Sequence, residues 1–266
     1  MKYLMSIAWR TLPYIGIEEI IEEIEMSENK EYVAGIEIAT TNYEEMEKTL
    51  KYIMDNNLIF RCHCPKIGNQ EVLTKYLDDL HTLAKIYGKK IDVVFHSLEF
   101  DDLEKSIEDT KEYIKNILEY IRKNNYEITI SLENLNYHHN RKRININLID
   151  KVFENLKQYP ELNFTYDIGH DIYDTQKPTK LSNIQKEKLN NIHIHNIKNN
   201  EDHHIICKNC ETIKELRETI KYLKEIGYKG PIVLEEGIDR YEGKNMRECV
   251  RNYIKSFKEK KEILED

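Results

Sequence analysis

The chain has 266 residues, 40% hydrophobic and 33% charged, with only 9 Gly and 5 Pro, which suits one large domain or two small ones and excludes a disordered or collagen-like polymer. Lys plus Arg number 40 against 48 Asp plus Glu; the formal charge of −8 argues against a general nucleic-acid or anionic-membrane coat, although a local basic cleft stays compatible with it. No apolar run reaches the 18 or so residues that span a bilayer, the N-terminus lacks the flanks of a signal peptide, and five Cys is an odd number in a chain large enough to build a core. A soluble protein of the reducing cytoplasm is expected.

Along the chain, short apolar runs alternate with longer amphipathic ones. Strands are predicted at residues 3–8, 33–38, 58–63, 91–96, 127–133, 162–167, 191–195 and 231–235. Helical spacing marks 43–56, 69–87, 102–124, 145–158, 212–226 and 242–263, for example through Leu103, Ile107, Ile114 and Ile117. Eight strands in 266 residues leave about 33 residues per unit, the size of a right-handed βα repeat. No Pro/Gly/Ser-rich linker interrupts the series, so residues 1–266 read as one domain. The expected fold class is α/β, a closed (β/α)8 TIM barrel, with an open doubly wound sheet as the competing topology.

Side chains alternate between the two faces of a strand. Ile128, Ile130 and Leu132 share one face while Thr129, Ser131 and Glu133 share the other; Leu162, Phe164 and Tyr166 likewise oppose Asn163, Thr165 and Asp167. The polar face ends in a titratable residue on seven consecutive strands: Glu37, His63, His96, Glu133, Asp167, His195 and Glu235. A single such residue ordinarily marks a solvated loop, but recurrence at the barrel period brings these seven to one ring at the catalytic face. Buried carboxylates and imidazoles cannot gather there uncompensated, and one or more divalent cations would give them a role. By the same alternation Glu236 points outward and reads as structural. His193 points inward but two residues deeper than His195, and reads as a hydrogen-bonded core histidine.

Taken together, Gly35-Ile36-Glu37-Ile38, Cys62-His63-Cys64-Pro65, Phe95-His96-Ser97, Leu132-Glu133-Asn134-Leu135, Asp167-Ile168-Gly169-His170, His193-Ile194-His195-Asn196, Asp202-His203-His204 and Ile232-Val233-Leu234-Glu235 resemble the xylose isomerase-like TIM barrels. That group joins sugar and sugar-phosphate isomerases and epimerases with the endonuclease IV branch of abasic-site nucleases (AP endonuclease family 2). The resemblance spans nearly the whole chain. It implies a metal set of Glu133, Asp167, His195 and Glu235 and a divalent ion, Mn, Mg or Co. It further implies a carbohydrate-type small-molecule substrate isomerised or epimerised through a metal-stabilised enediolate. Glu133 and Glu235 would move the carbon-bound proton, and His170 would orient a substrate oxygen.

The alternative within the resemblance is a zinc-dependent phosphodiesterase acting at abasic sites in DNA, for which His63, His96, Asp202 and His204 would be additional metal or substrate ligands; Glu37 joins them from the strand-end ring. Against it, Asn196-Ile197-Lys198 replaces the nucleases' Asn-Asp-Ser run, and the loops after the second and third strands carry no aromatic or Arg wedge. A non-enzymatic binding protein on this scaffold would be expected to have lost the ring. A homo-oligomer is compatible with the sequence, which does not define oligomeric state.

Four further features are weighed. Cys207 and Cys210 have finger-like spacing, but with Cys62 and Cys64 expected to point away from the site, loop thiols are favoured over structural zinc or a redox pair. Arg141-Lys142-Arg143, after His138-His139, reads as a solvated loop that could grip a phosphate or carboxylate. Trp9 and Tyr14 suit either a wall against a sugar ring or core packing. The run Lys258-Glu259-Lys260-Lys261 on the last helix reads as a solvated face.

Overall fold

The structure, a computed structural model, describes residues 1–136, 142–199 and 201–265. Its alternation follows the apolar pattern. β1 (Lys2–Ile7), α1 (Ile17–Met26), β2 (Gly35–Ile38), α2 (Tyr43–Asp55), β3 (Ile59–His63), α3 (Gln70–Tyr87), β4 (Ile91–His96) and α4 (Leu103–Lys123) form the first half. β5 (Ile128–Glu133), α5 (Asp150–Leu156), β6 (Leu162–Asp167), α6 (Ile168–Thr175), α7 (Asn183–Lys188) and β7 (Leu189–Ile194) follow. After β7 come β8 (Asn196–Lys198), β9 (Glu201–His204), α8 (Ile213–Glu225), β10 (Pro231–Leu234), α9 (Met246–Lys255) and α10 (Phe257–Glu265). Eight parallel strands close on themselves in the order β1-β10-β7-β6-β5-β4-β3-β2, while β8 and β9 make a separate antiparallel pair. The chain is therefore a (β/α)8 barrel. Among the described residues no helix is long and apolar enough to cross a membrane.

Helix starts are written locally. The side chains of Asn42, Asn69, Asp102 and Asn245 each accept a first-turn backbone N–H, from Glu44, Glu71 with Val72, Lys105 and Glu248. α3 ends at Gly88, whose φ of 67° is the left-handed conformation that glycine adopts without penalty. At Gly35 a side chain would collide with the Ile59 carbonyl, so β2 and β3 approach closely only because that position is glycine.

The apolar core lies between barrel and helices, where Phe60, Val93, Phe95, Ile130, Leu132, Phe164, Tyr166, Ile192, Ile194 and Leu234 are all buried. The lumen is polar instead. Arg61 Nη1 reaches Asp92 Oδ2 at 3.2 Å, Asn191 Nδ2 donates to Glu37 Oε2 at 3.0 Å, and Thr165 Oγ1 donates to Ser131 Oγ at 2.7 Å. A buried guanidinium 3.7 Å from Glu37 supplies part of the positive charge that this lumen needs.

Three expectations are corrected. The predicted helix over 145–158 begins only at Asp150. The segment 242–263 is two helices rather than one, broken at Ser256. Its supposedly solvated run buries Lys260, whose Nζ pairs with Glu236 and contacts the Tyr241 hydroxyl. Lys260 lies over the rings of Tyr241 and Tyr253, so α10 docks inward through a lysine. Glu236 is buried as the structural residue expected, accepting from the Ile206 N–H at 2.7 Å and from Tyr241.

Candidate metal centre

Parallel register sets the ring. His96 pairs with Glu133 across β4 and β5, and Asp167 pairs with His193 across β6 and β7. Asp167 also caps α6, its Oδ1 accepting the His170 N–H at 2.7 Å, so the strand-end carboxylate fixes where the next imidazole begins. Asn134 adds a second clamp: its Oδ1 accepts from Asp167 N and its Nδ2 donates to the Asp167 carbonyl, at 2.9 and 3.0 Å.

One ligand atom each from Glu133, Asp167, His193 and Glu235 lies within 4.8 Å of the others. Three adjoining groups meet the same limit: His63 with His96 and Glu133, Glu37 with His63 and His193, and His170 with His195 and His203. His195 connects the first group to the last, its Nε2 standing 3.3 Å from Asp167 Oδ1. Asp167 Oδ2 and His195 Nε2 are buried without a well-aligned hydrogen-bond partner, and the buried oxygens of Glu133 and Glu235 Oε2 face imidazoles, His96 at 3.0 Å and His193 at 2.7 Å, without hydrogen-bond alignment. Several carboxylates buried side by side are costly unless positive charge offsets them, and hard oxygens beside an imidazole are the donor set of a divalent cation. The residues fit such an ion.

Without metal, imidazoles carry the compensating charge. Burial pushes the Glu37 carboxyl up, but His193 and His63 beside it bring it down to about 2. At Glu133 and Glu235 burial is likewise outweighed, chiefly by His193, and both carboxyls stay well below the usual range. Burial would lower His193, yet Glu37, Glu235 and Glu133 raise it far above an ordinary imidazole. Its Nε2 is 2.9 Å from Glu37 and its Nδ1 2.7 Å from Glu235. The reading of His193 as a hydrogen-bonded core histidine is right about burial and incomplete about place, because it touches three ring carboxylates.

His170 donates Nδ1–H to the Asn134 carbonyl at 3.1 Å, since a carbonyl only accepts, and its Nε2 stands 3.9 Å from Asp202 Oδ2. Asp202 in turn accepts from Asn136 Nδ2 at 3.1 Å. His204 stands apart, 3.3 Å from Glu201 and 2.8 Å from Arg240 Nη1. The neighbouring His203, which the sequence singled out only within a motif, takes the place instead. Its φ is 54°, its Nδ1 donates to the Glu235 carbonyl at 2.9 Å, and its ring centroid is 4.5 Å from that of His195. A left-handed backbone at a non-glycine residue commonly marks a functional position.

A cavity of about 560 Å³ opens over the centre, reaching His96, His170, Asp202, His203 and Glu235. Phe95, Leu98, Phe100, Tyr113 and Leu135 give it an apolar wall. That is a small-molecule size. Cys62 is buried, but Cys64 lines the cavity, contrary to the expectation that both point away. Cys207 and Cys210 form a disulfide rather than free loop thiols. Trp9 is 65% exposed and edges a second cavity at the site, and Tyr14 is 75% exposed, so neither packs in the core. Of the basic run, Arg143 binds Glu99 and the Asn136 Oδ1, while His138, His139 and Arg141 lie outside the described residues.

A sequence search of curated proteins finds no match. Among solved structures the chain resembles a D-tagatose 3-epimerase-like protein at 20% identity and a TM-score of 0.64, over 99% of this chain and 98% of that one. It also resembles D-psicose 3-epimerase with D-tagatose from Clostridium cellulolyticum H10, at 14% identity and a TM-score of 0.65 over 100% of both chains. An L-ribulose 3-epimerase follows at 11% identity and 0.63, over 98% of each. The family model described as xylose isomerase-like TIM barrel matches residues 23–259, and with the closed parallel barrel this establishes that the chain belongs to that family.

Proposed function

We propose that the chain is a divalent-metal-dependent isomerase or epimerase of a carbohydrate-type small molecule. The observation that carries this reading is the convergence of Glu133, Asp167, His193 and Glu235 within 4.8 Å, with Glu235 lining the cavity and the buried carboxylates of Glu133 and Glu235 set against imidazoles. Glu133, Asp167 and Glu235 would hold the ion with an imidazole from the β7 end, His195 as the family resemblance implies or His193 as the tightest grouping suggests. Such an ion, when bound, polarises carbonyl and hydroxyl oxygens and neutralises charge developing on them. Glu133 ends β5 and Glu235 directly follows β10, and one would accept a carbon-bound proton beside the substrate carbonyl while the other returns it. His170, its tautomer set by Asn134, presents Nε2 to orient a substrate hydroxyl. The names of the structural neighbours, sugar 3-epimerases, support the same chemistry.

A second reading, phosphodiester cleavage by several zinc ions, is favoured by one observation: the candidate metal groups adjoin and share Glu133, His63 and His193. Elemental analysis separates the two, since the first expects one ion per chain and the second expects three. The purified chain loaded with Mn, Mg or Co is assayed for solvent deuterium entry into a ketose and aldose panel, beside an abasic-site oligonucleotide. Glu133→Gln and Glu235→Gln are each expected to lower turnover about 10²- to 10⁴-fold; unchanged turnover in either would overturn the assignment.

A further inference from the structure

A strap of chain follows the hairpin that carries Asp202 and His203, and it is anchored at two points beside the ring. At one, the Ile206 N–H donates to Glu236 Oε1 at 2.7 Å, next to Glu235; at the other, Thr212 Oγ1 donates to Asn196 Oδ1 at 2.6 Å, next to His195. Between the anchors the chain turns through Cys207 and Cys210, which are joined as a disulfide. The strap thus runs from the end of β10 to the end of β7, continuous with β9.

This cross-link has little to do for the fold. Its partners are only 3 residues apart, and short loops constrain the unfolded chain least. Cys207 is exposed and Cys210 half-buried, and disulfides that solvent reaches are the labile ones. Cys62, Cys64 and Cys249 are buried free thiols, so the pair is what a dissolved thiol meets first. The turn also accommodates both states. Cys210 Sγ lies 3.3 Å from the Ile205 carbonyl oxygen, to which a disulfide sulfur has no hydrogen to donate and a thiol does. The Cys210 N–H donates to the Cys207 carbonyl at 3.2 Å, which keeps the two sulfurs close enough to rejoin after the bond opens.

The strap bears on the site through His203. A φ of 54° at a non-glycine residue persists only where the surroundings impose it. From one side it is imposed by the Gly237 N–H, which donates to the His203 carbonyl at 2.8 Å, and by the bond from His203 Nδ1 to the Glu235 carbonyl. From the other side it is imposed by the strap. With the disulfide open, the turn rests on one exposed hydrogen bond, which competes with water and holds the strap weakly.

We propose that Cys207 and Cys210 are a redox-active pair opened by a dithiol, and that its state sets how firmly Asp202 and His203 are held at the site. A thiolate of the dithiol attacks the exposed Cys207 Sγ, the S–S bond breaks, and Cys210 leaves and takes up a proton. The second thiol of the reductant then displaces Cys207 from the mixed disulfide. The dithiol becomes a disulfide, and the pair gains two electrons and two protons. Oxidised glutathione closes the pair by the reverse exchange, becoming two reduced thiols. The effect on metal rests on the metal-centre reading above; the redox pair itself does not.

The test reduces the full chain with dithiothreitol in native buffer and removes the reagent without air. Iodoacetamide should then label Cys207 and Cys210 and spare Cys62, Cys64 and Cys249. Amide exchange at Ile206 and Gly237 should quicken at least about tenfold, and Mn²⁺ affinity by calorimetry should fall at least about tenfold. Oxidised glutathione should restore both. Cys207→Ser with Cys210→Ser should show the reduced values from the start and ignore dithiothreitol; the wild-type comparison decides if melts show that this variant does not fold. A pair that dithiothreitol cannot open without denaturant, equal exchange in both states, or equal affinity in a chain that binds Mn²⁺ overturns the proposal. So does a folded double variant that matches the oxidised chain. If Mn²⁺ binds neither state, the metal reading fails and amide exchange decides alone: quickened exchange upholds the switch, and equal protection ends it.

Discussion

Gly169 and His195 occupy one space: a methyl group on Gly169 would overlap the His195 imidazole ring. The first turn of α6 can approach the end of β7 only because position 169 has no side chain, and that contact presses the ring toward Asp167. Gly169→Ala should therefore act on the metal centre more than on the barrel. The expected cost in folding is about 1–3 kcal/mol, as for other overpacked sites, with metal affinity down at least about tenfold as His195 rotates away. Gly68→Ala is the control, since a Cβ there meets open space. Thermal melts and metal calorimetry on both variants check this, and a Gly169→Ala protein that binds metal normally would show that His195 is not held by the contact.

The proton that His195 holds competes with metal. Burial alone would lower its pKa, but Asp167 beside it prevails and the value is pushed up to about 9. A folded value above the unfolded imidazole's, about 6.5, means that this stabilisation is complete below pH 6.5 and disappears as pH climbs to about 9. A cation at Nε2 must displace the same proton, so its affinity moves the opposite way. The metal-free protein should melt at progressively lower temperature from pH 7 to 9, while metal affinity rises by up to about tenfold per pH unit for each proton released. Melts in chelator and with added Mn, together with calorimetry in buffers of different ionisation heat, measure both trends. A flat affinity across that window would exclude His195 as a ligand.

Lys260 and Glu236 make a pair in which both partners are buried. Glu236 also holds the Ile206 N–H and the Tyr241 hydroxyl, joining α10, β10 and the loop after β9. Removing one charge leaves the other stranded, which typically costs about 3–5 kcal/mol, whereas removing both is far milder. Lys260→Met should thus destabilise by that order, and Lys260→Met with Glu236→Leu should regain more than half. Denaturant melts of the four-member cycle give the coupling. Additive costs would mean that the pair contributes only through packing.

The barrel was legible because period-2 alternation and the βα repeat length are local and recur eight times. Strand-end residues such as Glu133, Asp167 and Glu235 were legible for the same reason: within a strand, parity fixes the face. Lys260 was not, because a lysine on an amphipathic helix reads as solvated unless its partner is known, and Glu236 is 24 residues away. The separation of α9 from α10 had no Pro or Gly to announce it. His193 was placed correctly by parity yet undervalued, since depth in a barrel depends on stagger between strands, which one strand cannot express.

His203 shows where parity itself fails. In a regular β9, His204 would share the face of Asp202, and the nuclease resemblance named it, not His203, as an additional ligand. The positive φ at His203 breaks the alternation and turns its ring onto His195 and His170. Burial, with the cation character of His195 beside it, lowers the His203 pKa, which suits a neutral ring with Nε2 open to a metal or substrate oxygen. His204 spends its ring on Glu201 and Arg240 near the surface. His203→Ala should therefore lower turnover or metal occupancy at least about tenfold, the usual scale for a ligand or its support, and His204→Ala should stay within about twofold, like other surface changes. Parallel elemental analysis and kinetics on the two alanine variants decide between them. The reverse order would mean that the hairpin flips on binding and that His204 is the residue aimed at the site.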